Sequence, residues 1–247
     1  MAAKEQVYLA VDLGASSGRV VAGLLDGSRL RLEECYRFPN GPVVAAERMY
    51  WDLLSLWNHM QEGLRAARAK YATQIRTIAV DTWGVDFGLL GRGDELLGNP
   101  YHYRDRRTQG MLARALQEVS REEIFAETGL QFMEINTLYQ LLAMKYGKSP
   151  LLDEAETLLL IPDLFHWLLT GEKANELTDA STTQLYNPKS RDWSRSLIRR
   201  FGLPDKIFGR IIEPSPSPWS SAAAAPTVPQ LRHHFRAHEQ ARSPPRP

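Results

Sequence analysis

Residues 8–25 read Tyr-Leu-Ala-Val-Asp-Leu-Gly-Ala-Ser-Ser-Gly-Arg-Val-Val-Ala-Gly-Leu-Leu, an apolar strand that ends on an acid and runs at once into a turn of small polar residues. The pattern predicts a hairpin with an anion-binding tip. Gly14 and Gly18 are expected to take positive φ and let backbone N–H groups approach a phosphate, with Ser16, Ser17 and Arg19 adding donors suited to its oxygens. Asp12, at the end of the first strand, suits a hydrated Mg2+ ion, which takes few carboxylates and keeps several waters. Gly14-Ala15-Ser16-Ser17-Gly18 also fits the G-x-S-x-G nucleophile elbow, but that motif requires strand, sharp turn and then helix. Residues 19–27 begin β-branched and close on Asp-Gly, so a returning strand is expected and a serine nucleophile is not. A ligand-free polar hairpin has no use for an acid, two serines and an arginine in one turn.

Further along, strands are expected at 7–13, 19–26 and 29–38, joined by tight turns into an antiparallel meander. A helix over 52–71 follows, with Leu53, Leu56, Trp57, Met60, Leu64 and Ala67 at three- and four-residue spacing behind Asp52 as cap. Residues 75–81, Ile-Arg-Thr-Ile-Ala-Val-Asp, return as a strand parallel to the first and deliver a second carboxylate, Asp81, to the same sheet edge, where α/β sheets bind ligands. Helices are expected at 107–118, 121–128, 137–147, 163–170 and 193–201, with a short strand near 156–161. The fold class is α/β, a meander leading into a mixed sheet flanked by helices.

Composition sets outer limits. With 247 residues, 43% of them apolar, and a net charge of +1, the chain can bury a substantial core and offers no electrostatic attraction for nucleic acid. No apolar run approaches the roughly 20 residues needed to cross a bilayer, no membrane partner is expected, and a cytoplasmic location is. Cys35 is the only cysteine, which excludes an internal disulfide and a cysteine-based zinc site and suits a small buried hydrophobe. From Pro214 the last 34 residues hold eight of the fifteen prolines, four consecutive alanines and three of the six histidines. Such a composition belongs to disordered segments, so the expected organisation is a domain at 6–213 and a disordered tail at 214–247.

Val-Asp-Leu-Gly-Ala-Ser-Ser-Gly-Arg at 11–19, Asp-Thr-Trp-Gly-Val-Asp-Phe at 81–87 and Tyr-Arg-Asp-Arg-Arg-Thr at 103–108 together resemble the N-terminal half of the FGGY carbohydrate kinases. Thr-Gly-Leu-Gln-Phe at 128–132, Asn-Thr-Leu-Tyr-Gln-Leu at 136–141, Ile-Pro-Asp at 161–163 and Thr-Asp-Ala-Ser-Thr-Thr-Gln-Leu at 178–185 continue the likeness in order. The 81–87 stretch resembles the rhamnulose branch of that family more than its glycerol, xylulose or gluconate branches.

The resemblance implies an actin-like, ribonuclease-H-like fold of two domains with ATP and sugar meeting between them, this chain supplying one wall. It implies that residues Ala15 to Arg19 touch ATP phosphates, that Asp12 faces the Mg2+ region, and that Asp81, Trp83 and Gly84 line a ketose site. The implied reaction transfers the ATP γ-phosphoryl group to the primary hydroxyl of L-rhamnulose, with a carboxylate accepting the hydroxyl proton. That carboxylate belongs in the family to a Gly-Thr-His-Asp-Thr type motif opening the second domain, as does the adenosine pocket. Neither stands in this sequence, so no turnover is expected from these residues alone, and the face that would meet a second domain is expected to favour self-association. The alternative is a noncatalytic relative that binds a sugar or a partner protein.

Several residues keep two readings. Asn136 and Gln140, one helical turn apart, fit amides offered to sugar hydroxyls, and Asn136 fits an ordinary helix cap equally well. Asp86 fits a sugar contact or an exposed acid at a strand start. Arg104, Asp105, Arg106 and Arg107 fit a solvated helix start or a direct ligand contact, His102 fits a loop or edge-strand position or a catalytic role, and His166 fits core or surface packing better than a catalytic role.

Overall fold

In a computed structural model, residues 5–214 are described; the tail expected at 214–247 lies, apart from Pro214, outside them. The meander is β1 (Gln6–Leu13), β2 (Ser17–Leu25) and β3 (Leu30–Pro39). Alternation in β1 buries Val7, Leu9, Val11 and Leu13 on one face, as a half-covered strand requires. The β2–β3 turn forms where expected, with Asp26 Oδ1 accepting the Arg29 amide at 3.0 Å and Gly27 at φ 100°. A second hairpin, β4 (Pro42–Ala45) and β5 (Arg48–Trp51), is new to the sequence reading. Its turn places Ala46 and Glu47 at φ 48° and 64°, a primed geometry that sequence signals only when Gly, Asn or Asp occupies it.

Helix α1 (Leu53–Tyr71) starts on Asp52, whose carboxylate accepts the Ser55 amide at 3.1 Å, satisfying an orphan donor of the first turn. Its apolar stripe lies on the sheet so closely that a Cβ on Gly63 would sit 2.3 Å from Val20 Cγ2. Strand β6 (Ile75–Asp81) then joins β1 in parallel, completing a sheet of order β3-β2-β1-β6.

Strands β7 (Phe87–Leu90) and β8 (Thr157–Leu160) pair antiparallel and divide two cores. Leu90 and Leu159 face the sheet, α1 and α6 (Ile161–Thr170); Phe87, Leu89, Leu158 and Leu160 face a helical core. That second core is built by α2 (Met111–Glu118), α3 (Arg121–Thr128), α4 (Thr137–Tyr146), α5 (Pro150–Glu154) and α8 (Arg195–Arg200). Each fully buried Leu contributes about 1.5–3 kcal/mol. Short pieces complete the chain: β9 (Asn175–Glu176) pairs with β12 (Ile211–Ile212), β10 (Tyr186–Asn187) with β11 (Asp192–Trp193), and α7 (Leu177–Ala180) follows β9.

Three helix starts differ from expectation by two residues or more, and the one expected from 163 begins at Ile161, with Pro162 in its first turn. The helix expected from 107 begins at Met111, because Asp105 closes a 3-10 turn at Arg106–Thr108 and Gly110 at φ 78° interrupts it. The helix expected from 193 begins at Arg195, with Trp193 in β11 and Ser194 capping the Leu197 amide. Cys35 is half-buried in β3, and burial pushes its thiol pKa up.

Candidate functional site

The turn between β1 and β2 is a compact hook. Gly14 N–H donates to Ser17 O at 2.9 Å, and Asn40 ties the hook to β3, donating from its side chain to Gly14 O at 2.7 Å and from its amide to Ser16 O at 3.1 Å. Ala15 and Ser16 stand exposed at its tip, and among the described residues their amides and the Ser16 and Ser17 hydroxyls have no protein acceptor. Asp12 and Arg19 face each other across the hairpin, with Arg19 Nε and Nη2 both 2.7 Å from Asp12 Oδ2 and the side chains 40% and 45% exposed.

Gly14 and Gly18 do not take the positive φ expected of them. Gly18 is required by packing instead: a Cβ there would fall 2.2 Å from the Phe38 ring, which is buried and stacked on His59. Gly14 approaches Ser17 O, leaving 3.2 Å for a Cβ.

Parallel pairing sets Asp81 beside Asp12 in register, so both acids emerge at one sheet edge. Past Asp81, β6 opens on a cleft of about 440 Å3 whose walls include Asp81, Gly84, His166, Glu176, Asp179 and Thr182. Gly84 is pressed against its far wall, a Cβ there meeting Thr182 Cγ2 at 2.9 Å and Asp179 Oδ1 at 3.1 Å. Its neighbour Val85 sits at φ 68°, a strained conformation for a β-branched residue that costs on the order of 1–3 kcal/mol. Three bonds hold it there: Val85 N–H donates to Thr182 Oγ1 at 3.0 Å, while Val85 O accepts from Thr137 Oγ1 at 2.7 Å and Gln140 Nε2 at 3.2 Å.

Behind this loop lies a buried polar node. Asp86 is fully buried, not the exposed acid that one reading expected. Its Oδ2 accepts from Trp51 Nε1 at 2.6 Å, Trp83 Nε1 at 3.1 Å and the Tyr103 amide at 3.1 Å, and its Oδ1 from Gln140 Nε2 at 2.8 Å. Burial pushes its pKa up to about 6, while the bonds from Trp51, Gln140 and Tyr103 and the charge of Arg107 pull it down. Trp51 stacks on Trp83 at 3.8 Å and on His102 at 4.1 Å. Burial, with Arg104 adding to it, lowers the His102 pKa to about 4.

The charged stretch 104–107 is not uniformly solvated, which corrects the reading of it as a solvated helix start. Arg104 and Arg106 are exposed, while Asp105 is buried and accepts the Met49 amide at 2.7 Å. Arg107 reaches inward to Gln140 O at 2.8 Å and Gln140 Oε1 at 2.7 Å, over the Tyr101 ring. Burial drops its pKa to about 10.

Asp12, Gly14, Ala15, Ser16, Ser17, Gly18 and Arg19 therefore form one surface hook, and Asp81 and Gly84 line the adjoining cleft. Trp83 is half-buried between that cleft's loop and the node. Gln140 spends its side-chain amide on Val85 O, Asp86 and Ile135 O, and fully buried Asn136 donates to Gln131 O at 2.9 Å and Gln184 Oε1 at 3.1 Å. Asn136 stands at the cap position of α4 without a side-chain cap bond. His166 is half-buried on α6 and lines the cleft. Sequence reasoning missed Trp51, Asp179 and Thr182 and placed Arg107 in solvent; Asp179 and Thr182 sit in the quoted stretch at 178–185, which carried order but no role.

Among the described residues no helix is long and apolar enough to cross a membrane, and no group of three or more His, Cys, Asp or Glu is placed to hold a metal ion. Residues 7–217 match the FGGY family of carbohydrate kinases, N-terminal domain. A rhamnulokinase of Oceanobacillus iheyensis is 40% identical over 210 residues, covering 85% of this chain and 44% of its own length. A gluconate kinase of Lactobacillus acidophilus shares the fold with a TM-score of 0.77 at 19% identity, over 93% of this chain and 46% of that one. A ligand-bound xylulose kinase of the same organism gives 0.75 at 20% identity, over 85% and 42%. The chain thus spans under half the length of the relatives it matches, and its fold is the actin-like, ribonuclease-H-like fold of sugar kinases. The chain belongs to the FGGY family of carbohydrate kinases, as the N-terminal domain of that family.

Proposed function

We propose that this chain forms the N-terminal wall of a cytoplasmic kinase that transfers the γ-phosphoryl group of ATP to the primary hydroxyl of L-rhamnulose. The observation that carries the reading is the in-register pair Asp12 and Asp81, which sets an exposed donor-rich hook beside a cleft on one sheet edge. The 40% identity to a protein named rhamnulokinase favours L-rhamnulose among ketoses.

In this reading the free amides of Ala15 and Ser16, the two hydroxyls and Arg19 hold phosphate oxygens. Asp12 fits a hydrated Mg2+: it is half-exposed, and its Oδ2 alone is taken by Arg19. Magnesium, when bound, supplies charge neutralisation of the phosphates. Asp81, Trp83 and Gly84 orient the ketose, and the Thr182 and Gln140 bonds fix the backbone that does so. Gln140 acts through that backbone and not by direct contact with sugar, while Asn136 ties Gln131 to Gln184.

The 247 residues contain no Thr-His-Asp-Thr stretch from which a carboxylate would accept the hydroxyl proton. The purified chain with ATP, Mg2+ and L-rhamnulose is therefore expected to release no ADP. Calorimetry on the same sample should show L-rhamnulose bound at least about tenfold more tightly than D-xylulose, a gap of about 1.4 kcal/mol. Equal affinity for the two ketoses would overturn the substrate assignment, and measurable ADP release would overturn the division of labour.

A further inference from the structure

The cleft beside Gly84 holds a carboxyl oxygen that nothing among the described residues satisfies. Asp179, on α7, is 9% exposed, and its Oδ2 is buried without a hydrogen-bond partner among those residues. Its Oδ1 lies 3.5 Å from Thr182 Oγ1, and that hydroxyl donates to the Asp179 backbone carbonyl at 2.7 Å. The same Thr182 oxygen accepts the Val85 amide, so Asp179 and the strained 84–85 backbone form one mechanical unit. A buried unmet carboxyl oxygen is destabilising, and such groups persist where a ligand completes them.

The surroundings narrow the ligand. Burial first, then the charges of Glu176 and Asp86, and also that of Asp81, raise the Asp179 pKa to about 7, with the Thr182 hydroxyl opposing. A carboxyl poised in this way offers both a donor and an acceptor near neutral pH, which matches a hydroxyl. His166 Nε2 also lacks a partner among the described residues, and burial pushes that imidazole's pKa down. Among the described residues, Arg and Lys are absent from the cleft walls, while Asp81, Glu176 and Asp179 are present. An anionic ligand would meet three acids and no cation.

We infer that Asp179 hydrogen-bonds a hydroxyl of a neutral polyol in this cleft and sets the preference for a ketose over the corresponding sugar acid. The inference rests on the ketose reading above.

Calorimetry and amide NMR on the full chain with L-rhamnulose and L-rhamnonate test it, using wild type, Asp179→Leu and Asp179→Asn. Wild type should prefer L-rhamnulose by at least about tenfold. Asp179→Leu should bind L-rhamnulose at least about tenfold more weakly with its circular dichroism unchanged. Asp179→Asn, which keeps a donor and an acceptor but loses the charge, should recover most of the ketose affinity and narrow the preference to a few-fold. Should Asp179→Leu fail to fold, the changed preference of Asp179→Asn supports the inference by itself. An unchanged preference in Asp179→Asn, or full ketose affinity in a folded Asp179→Leu, overturns the inference, and ketose-induced shifts at Gly84 and Val85 would then leave the ketose reading standing. Absence of any response to L-rhamnulose in wild type overturns both.

Discussion

The hook at Asp12–Arg19 and the node at Asp86 contain similar groups, a carboxylate with an arginine nearby, yet they are built in opposite ways. The hook comes from eight consecutive residues and stays half in water. The node gathers Trp51, Trp83, Asp86, Tyr103, Arg107 and Gln140 from four separate segments and centres on a carboxylate sealed from solvent. In water a charge pair is worth little to stability and is free to exchange partners for a ligand. Inside the protein each donor removed from its acceptor is costly, so the same chemistry becomes scaffold.

Asp86→Ala should separate the two most widely. It strands two indoles, one amide side chain and one backbone N–H, and a loss of about 3–5 kcal/mol is expected in urea unfolding, against less than about 1 kcal/mol for Asp12→Ala. Equal losses would erase the distinction between scaffold and hook.

Titration sharpens the same contrast. Asp86 carries a pKa raised to about 6 from an ordinary 3.8, so the folded state binds the extra proton and stability falls as pH rises from about 4 to about 6. The fall attributable to this group is on the order of 3 kcal/mol. It should be read as the difference between wild-type and Asp86→Asn unfolding free energies across that window. A difference that grows with pH instead would mean that the four donors outweigh burial and hold the carboxylate ionised.

Gly18→Ala probes the seam between hook and core. With Phe38 closed in by His59, the added methyl group should cost about 1–3 kcal/mol, more than Gly14→Ala at the exposed tip. The reverse order would show that the turn, not the packing beneath it, demands glycine.

Arg19→Ala is the smallest effect on stability, under about 1 kcal/mol. It should nevertheless abolish any response of the hook amides to pyrophosphate. Retained binding in that variant would remove Arg19 from the phosphate contacts.

Legibility follows the same line between local and long-range. The meander, α1 and β6 could be read because period-two and three-to-four spacing are local signals, and Asp52 caps its helix as a local motif should. The hook was legible in its residues and misread in its glycines, since Gly18 answers to Phe38, twenty residues away. Hairpin β4–β5 stayed hidden because Ala46 and Glu47 occupy a turn geometry that neither residue type advertises. Trp51 went with it. Arg107, and Asp86 in one of its two readings, look like surface charge because Trp51 and Gln140, which hold them, lie 33 to 54 residues away, where no spacing rule reaches.

Whether the two sides of this sheet edge serve different ligands, phosphate at the hook and neutral ketose at the cleft, is tested most directly by amide NMR on the chain, titrated separately with pyrophosphate and with L-rhamnulose. Pyrophosphate should move Ala15 to Arg19 and leave 81–85 and 179–182 in place, and L-rhamnulose should do the reverse. Both ligands shifting one common set of residues, or L-rhamnulose moving the hook while the cleft stays still, would contradict that division.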